Sequence, residues 1–370
     1  MLHTQVPTYL TFYTVECPNR RTKNSFHLIF LTLSTHEHHH QKMTKKFQIH
    51  QSLSKIAHLY DGFILDQYGV LHDGTSSLPY TNECIETLYK LNKKLIILSN
   101  TSSPSSYTIN RLPKLGFNSN HFIGAVTSGD EASKYILENF QNKKALLFTW
   151  KKGKSTSPVG EFLDNCGNVS VSPSIEDADF IMLHGCQVIQ YSSADQTDDN
   201  ITSIESFHDN CDLEEVNKIL SICHERKLPM ICANPDFITV YKDGSVRHMP
   251  GTIAKAYESL GGEVTYFGKP HAAHFDACVT KLNIPKDRVV HVGDSLHHDI
   301  KGANDCGVDC VFIASGVHAK ELDCGIDKVV AAREDEKDCD DIREKEQCLE
   351  DLFMKEGGIV PTHVLPFLNY

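Results

Sequence analysis

Asp66, Ser99, Lys269 and Asp294 each follow a short apolar run and sit in a loop of polar and glycine residues. The first loop reads Asp66-Gln67-Tyr68-Gly69-Val70-Leu71-His72-Asp73-Gly74, and the second Ser99-Asn100-Thr101-Ser102. The third is Phe267-Gly268-Lys269-Pro270, after Val264-Thr265-Tyr266, and the fourth Gly293-Asp294-Ser295-Leu296-His297-His298-Asp299. A pair of aspartates can hold a magnesium ion through oxygen ligands. A lysine and a hydroxyl can neutralise and hydrogen-bond a phosphoryl group, and one aspartate can be a nucleophile that forms an aspartyl-phosphate. In-line positioning and charge neutralisation are what phosphoryl transfer requires. Each piece alone is commonplace, because a strand ending in Asp is usually a turn or a helix cap. Four of them, in this order, form a constellation.

For those loops to meet, the runs before them must lie side by side. Gly62–Leu65, Lys94–Leu98, Ala145–Phe148, Phe180–Leu183, Met230–Ala233 and Val289–Val292 are short and apolar, bounded by turn residues. Their length and flanks predict buried strands. Helix-length segments separate them, and such alternation predicts a mostly parallel α/β sheet. Sheets of this kind place their chemistry in loops at the carboxyl ends of the strands, which is where the four motifs fall.

On these motifs, over about residues 58–320, the sequence resembles the haloacid dehalogenase (HAD) superfamily of hydrolases. The interval between Ser99 and Lys269, itself α/β in pattern, looks like the inserted cap of class IIA members. That group includes phosphoglycolate, pyridoxal-phosphate and nucleotide phosphatases. Asn234-Pro235-Asp236, Pro250-Gly251-Thr252-Ile253 and Tyr257-Glu258 also look like class IIA. So does Thr127-Ser128-Gly129-Asp130-Glu131, where Ser128 is the expected helix N-cap. The variant D-x-[WY]-G-V-L-H-D-G points to a less-characterised branch.

The resemblance implies a doubly wound, mostly parallel α/β core with an inserted α/β cap. Asp66 would be nucleophile and Mg2+ ligand, the backbone carbonyl of Tyr68 a second ligand, and Asp294 the third. Ser99 would hydrogen-bond the transferring phosphoryl group, and Lys269 would pair with it and with Asp66. Asp299 would act behind these, orienting metal-bound water or Lys269. Asn100, Asn234 and Asp236 are expected at the substrate by position alone. The implied substrate is a small phosphorylated metabolite, and the family-level expectation is a homodimer through the cap.

One position departs from the pattern. Superfamily phosphatases carry a second aspartate two residues after the nucleophile, where this chain has Tyr68. General acid–base help from such a group is worth roughly 10²–10⁴-fold. Tyr68 could still act catalytically by donating a proton, but with a reference pKa of about 10 it is a poor base at neutral pH. Phosphatase activity, weakened on alkyl phosphates, is therefore the leading expectation. The alternative is a HAD-fold binding or regulatory protein with little turnover. Dehalogenation ranks third: true dehalogenases share this tyrosine but lack the Gly293-Asp294…Asp299 loop.

Composition bounds the rest. Lys and Arg number 36 and Asp and Glu 48, giving −12, with 40% hydrophobic residues. This excludes collagen-like and wholly disordered chains and argues against nucleic acid and anionic membranes as partners. Residues 194–215 hold eight acids and no Lys or Arg, and residues 334–351 hold ten acids against Lys337, Arg343 and Lys345. These read as a solvated loop and a helical excursion. Residues 1–48 are basic: Arg20, Arg21, Lys23, Lys42, Lys45 and Lys46 stand against Glu16 and Glu37. A disordered tail, a start codon placed too early (Met43 lies downstream) or an organellar presequence all fit. A cytoplasmic location is expected, with mitochondrion or plastid as the alternative. His36-Glu37-His38-His39-His40 matches H-E-x-x-H only through a histidine run.

The thirteen cysteines contain no C-x-x-C pair and read as reduced thiols. The longest N-terminal apolar run, Phe26–Leu33, is far short of the roughly 20 residues a membrane span needs. His297 and His298 are expected exposed, His184 buried, and His271 and His274 without a role. The expected organisation is a tail over 1–48, core over 49–125, cap over 126–261 and core again over 262–370.

Overall fold

The computed structural model describes residues 46–151, 159–192, 201–241, 244–325 and 345–370. The N-terminal histidine run and the stretch Phe26–Leu33 lie outside them, as do residues 194–200 and 334–344. Among the described residues, no helix is long and apolar enough to cross a membrane.

The chain starts one sheet with β1 (Gln48–Ile49), β2 (Gly62–Leu65), β3 (Lys94–Ser99) and β4 (Phe122–Thr127). It then builds a second with β5 (Lys144–Thr149), β6 (Ser170–Val171), β7 (Phe180–Leu183), β8 (Val188–Gln190), β9 (Ile201–Ser203) and β10 (Met230–Cys232). A separate hairpin, β11 (Ile238–Val240) and β12 (Val246–His248), precedes β13 (Val264–Tyr266). The first sheet is completed by β14 (Val289–Gly293), β15 (Asp309–Ile313) and β16 (His363–Leu365).

The first sheet runs β1-β16-β15-β14-β2-β3-β4 with every pair parallel. Strand β2, between β14 and β3, is buried at all four residues. Alternation sends Phe63 and Leu65 into one apolar cluster and Ile64 into the other. Fully burying such side chains contributes about 1.5–3 kcal/mol each, and Phe63→Ala would cost about 3–5 kcal/mol. Register aligns Leu65 with Ile97 on one side and Val292 on the other. Asp66, Ser99 and Asp294 therefore leave three neighbouring strands at the same edge. Helix α1 (Ala272–Leu282), directly after Lys269, packs Phe275, Cys278 and Leu282 against Ile64 and Ile96.

The second sheet runs β13-β10-β7-β5-β8-β9, with β8 and β9 antiparallel and β6 beside β5. Here the structure corrects an expectation. Val264–Tyr266 does not open the second core segment; it pairs in parallel with Met230–Cys232 and extends the cap sheet. Sheet membership thus changes after Thr127 and again after Tyr266. The helix after β4, α2 (Ser128–Asn139), is capped by Thr127, whose hydroxyl accepts from the Asp130 amide. Ser128, expected as the cap, instead donates to the carbonyls of Thr101 and Ala233, tying core to cap.

The acidic stretches are more ordered than their charge predicts. Within 201–215 lie an edge strand and a helix burying Phe207 and His208. The helix Glu346–Lys355 turns Leu349, Leu352 and Phe353 into the core cluster. Acids on these elements face water while one stripe stays apolar. The eleven cysteines among the described residues are free thiols, nine of them buried.

Candidate active site

The loop after β2 turns sharply: Val70, Leu71 and His72 amides all donate to the Gln67 carbonyl, and Gly69 donates to His72. Gly69 has φ +80, and a Cβ there would lie 2.2 Å from Asp294 Oδ2. Gly316, on the loop after β15, approaches Asp294 as closely from another direction. Glycine at both positions lets backbone close over that carboxylate, and the Val317 amide donates to Asp294 Oδ2 at 2.8 Å.

At the centre stands Lys269, 2% exposed. Its ammonium donates to Asp66 Oδ1 at 2.6 Å and to Asp299 Oδ1 at 2.7 Å. Asp299 also accepts from His291 Nε2 at 2.8 Å and, through Oδ2, from the Ser295 amide at 3.0 Å. The lysine's own backbone is braced: its amide donates to Asn100 Oδ1 at 2.6 Å, and its carbonyl accepts from His298 Nδ1 at 3.1 Å. The preceding Gly268 amide donates to His274 Nε2 at 3.0 Å.

Three buried carboxylates thus share one ammonium. Burial drives the Asp66 carboxyl up to about 7, with the Lys269 charge opposing and the Asp299 charge adding. Burial pushes Asp294 well up too, helped by the charges of Asp66 and Asp299. Burial would also raise Asp299, but Lys269 and the His291 N–H overcome it and hold that carboxyl well below its usual range. Lys269 stays charged, because Asp299 and Asp66 outweigh the desolvation that would lower it. The cluster is short of positive charge.

Asp66, Asp294 and Asp299 offer oxygens within 4.8 Å of one another. Two opposite ligands of one magnesium ion stand about 4.2 Å apart, and hard all-oxygen sites suit it. The donor set therefore fits a small divalent cation. Asp299 is engaged through both oxygens, which leaves Asp66 and Asp294 as the carboxylates able to hold one.

Comparison with known proteins accords with this geometry. A family model described as haloacid dehalogenase-like hydrolase matches residues 63–157, and one described as HAD-hydrolase-like matches 266–335. The two matches cover both halves of the core and include Asp66, Ser99, Lys269, Asp294 and Asp299. The chain is a HAD-like hydrolase. It is 22% identical to 4-nitrophenylphosphatase of Schizosaccharomyces pombe over 75% of this chain and 92% of that relative. It is 22% identical to the phospholysine phosphohistidine inorganic pyrophosphate phosphatase of Xenopus laevis, over 37% of this chain and only 51% of that relative. A haloacid dehalogenase-like hydrolase of Brucella suis shares the fold, with TM-score 0.63 and 22% identity across 86% of this chain and 99% of that one.

In this HAD-like hydrolase, Asp66, Lys269, Asp294 and Asp299 meet as the sequence motifs anticipate. Lys269 arrives from the cap sheet rather than from a core strand, because β13 pairs with β10. Ser99 ends β3 beside them, its hydroxyl accepting from the Thr101 amide at 3.3 Å. Asn100 and Asn234, expected at the substrate, act as braces. The Asn100 amide group donates to Asp236 Oδ1 at 2.7 Å, and Asn234 Oδ1 accepts from the Asp236 amide at 3.0 Å. Asp236 faces His298 Nε2 at 3.7 Å. His298 is therefore buried at the core–cap seam instead of exposed, whereas His297 is exposed as expected. His184 is buried, with Nδ1 on Thr149 and no partner at Nε2. His274, given no role by the sequence, supports the Gly268 turn, and the His271 ring lies beside the His274 ring.

His291 is the participant that sequence reasoning overlooked. It lies inside an apolar strand run, where a lone polar residue with no exposed face signals a buried partner. Tyr68 supplies a second surprise: its hydroxyl donates to the Val240 carbonyl of the cap hairpin at 3.0 Å. A surface depression of about 290 Å3, lined by residues such as Asn82, Phe117 and His121, encloses none of these groups.

Proposed function

We propose that this HAD-like hydrolase is a magnesium-dependent phosphatase that acts on a small phosphorylated metabolite through an aspartyl-phosphate on Asp66. The observation that carries the reading is the Lys269 ammonium, buried and bonded to both Asp66 and Asp299 at one sheet edge. The Asp66 carboxylate attacks phosphorus while Lys269 neutralises the oxygens of the transferring group. Asp299 and His291 fix the lysine, and the Asn100 bracing fixes its loop. Ser99 supplies a hydroxyl for a phosphoryl oxygen. Asp66, the Tyr68 backbone carbonyl and Asp294 would hold Mg2+, which supplies charge neutralisation to the cluster and the phosphoryl group. Asp236 is the cap residue best placed to face substrate.

The phosphatase names of the relatives support this reading. The experiment is phosphate release over a panel of phosphorylated metabolites with magnesium. Release that disappears in Asp66→Asn is the expected result. Silence across the panel with intact metal binding would replace it with the second reading, a HAD-fold binding protein, which the engaged Tyr68 hydroxyl favours. Dehalogenation is the weakest reading, because a cation site of this kind has no use in displacing halide from carbon.

A further inference from the structure

The phenol of Tyr68, the ammonium of Lys269 and the ring of His298 are each already engaged. Tyr68 lies two residues after Asp66, yet its hydroxyl donates across the seam to the Val240 carbonyl at 3.0 Å. Lys269 divides its ammonium between Asp66 and Asp299. His72 accepts from the Gly74 amide through Nδ1. His298 donates through Nδ1 to the Lys269 carbonyl and turns Nε2 toward the Asp236 carboxylate.

We infer that Tyr68 ties the cap hairpin to the core and supplies no proton, so that leaving groups depart as anions. This rests on the phosphatase reading and narrows its substrate class to phosphoryl groups on good leaving groups: aryl phosphates and acyl phosphates. In the first step an Asp66 oxygen bonds to phosphorus while the bond to the leaving oxygen breaks. The electron pair leaves with that oxygen as a phenolate or carboxylate, which solvent then protonates where needed. In the second step water adds to phosphorus and the bond to Asp66 breaks. The products are the Asp66 carboxylate and dihydrogen phosphate, which retains both protons of the water. Neither half has an unengaged acid or base among these side chains. The second step is common to all substrates and becomes the slow one for the best leaving groups.

The test uses the full chain with magnesium and a series of esters: acetyl phosphate, 4-nitrophenyl phosphate, phenyl phosphate and glycerol phosphate. The expected result is a fall in kcat/KM of roughly 10²-fold or more from 4-nitrophenyl to glycerol phosphate. Over the two best leaving groups, kcat should level to one value. Tyr68→Phe should slow all four esters by a common factor, because it removes a tie and no acid. Tyr68→Asp should raise glycerol phosphate turnover relative to 4-nitrophenyl phosphate.

Turnover of glycerol phosphate within tenfold of 4-nitrophenyl phosphate would overturn the inference and leave the phosphatase reading standing. A selective loss on phenyl and glycerol phosphate in Tyr68→Phe, or in His298→Asn, would overturn it by identifying the acid. Failure to release phosphate from any ester, acetyl phosphate included, would remove the phosphatase reading itself and this inference with it.

Discussion

Replacing Lys269 with methionine keeps the side-chain length and removes the charge. Lys269 is 2% exposed and lies 2.6 Å from Asp66 and 2.7 Å from Asp299. Its loss leaves three carboxylates buried together without a counter-charge. Breaking a buried ion pair in this way costs about 3–5 kcal/mol. For a folded unit of this size, with an unfolding entropy of roughly 2.1 cal/mol/K per residue, that is a drop in Tm of about 4–7 °C. The loss must depend on pH. Asp66 already has its carboxyl raised to about 7 by burial, and without the ammonium it rises further. Between the unfolded value near 4 and the raised folded value, the folded state binds more protons than the unfolded one. Stability therefore falls as pH rises through that window. At about pH 5.5 the variant escapes much of the cost by taking up a proton, and at about pH 8 it does not. Magnesium should return more stability to the variant than to the parent, up to about 2.7 kcal/mol at a hundredfold excess over Kd. Thermal unfolding of both proteins at the two pH values, with and without magnesium, measures all of this. A variant within 1 °C of the parent at about pH 8, or an equal loss at both pH values, would refute the electrostatic account.

Asp66→Asn should abolish phosphate release while retaining the fold; activity that persists would belong to a contaminating enzyme. Metal chelation should silence the protein and magnesium restore it. Affinity, read by calorimetry, should fall roughly tenfold from about pH 8 to about pH 6, because the raised Asp66 carboxyl must shed its proton to bind. Constant affinity across that range would count against Asp66 as a ligand. Gly69→Ala places a Cβ 2.2 Å from Asp294 Oδ2 at φ +80. It should destabilise the chain by about 1–3 kcal/mol and weaken magnesium binding, a change that thermal unfolding and calorimetry read separately.

The strands that carry chemistry were legible because each is a buried and mainly apolar run. Gly62–Leu65, Lys94–Ser99 and Val289–Gly293 stand out by length and flanking turns. Less legible was which sheet a run joins. Val264–Tyr266 looks like any other strand before a motif, and only hydrogen bonding to Met230–Cys232 places it in the cap. Short elements such as β1, β9 and β16 are two or three residues long and leave too little pattern to read. The helix expected within 334–351 was read as solvated because of its charge, yet three apolar residues at helical spacing suffice to seat Glu346–Lys355.

The site divides along a similar line. Asp66, Lys269, Asp294 and Asp299 were readable because their loops recur in one fixed order, although each alone is commonplace. The braces around them were not, because many use backbone partners, which have no residue type to betray them. Lys269 is fixed through its own amide and carbonyl, by Asn100 and His298. Tyr68 is the sharpest case. As a residue type two places after the nucleophile it reads as a damaged acid. Its partner is a carbonyl 172 residues away, on a hairpin strand of three residues. Any residue at position 240 offers that same carbonyl, so the chain carries no trace of the contact until it is folded. Once folded, the contact changes what the tyrosine means: a phenol already donating holds two layers together, and the chemistry beneath it must proceed without its proton.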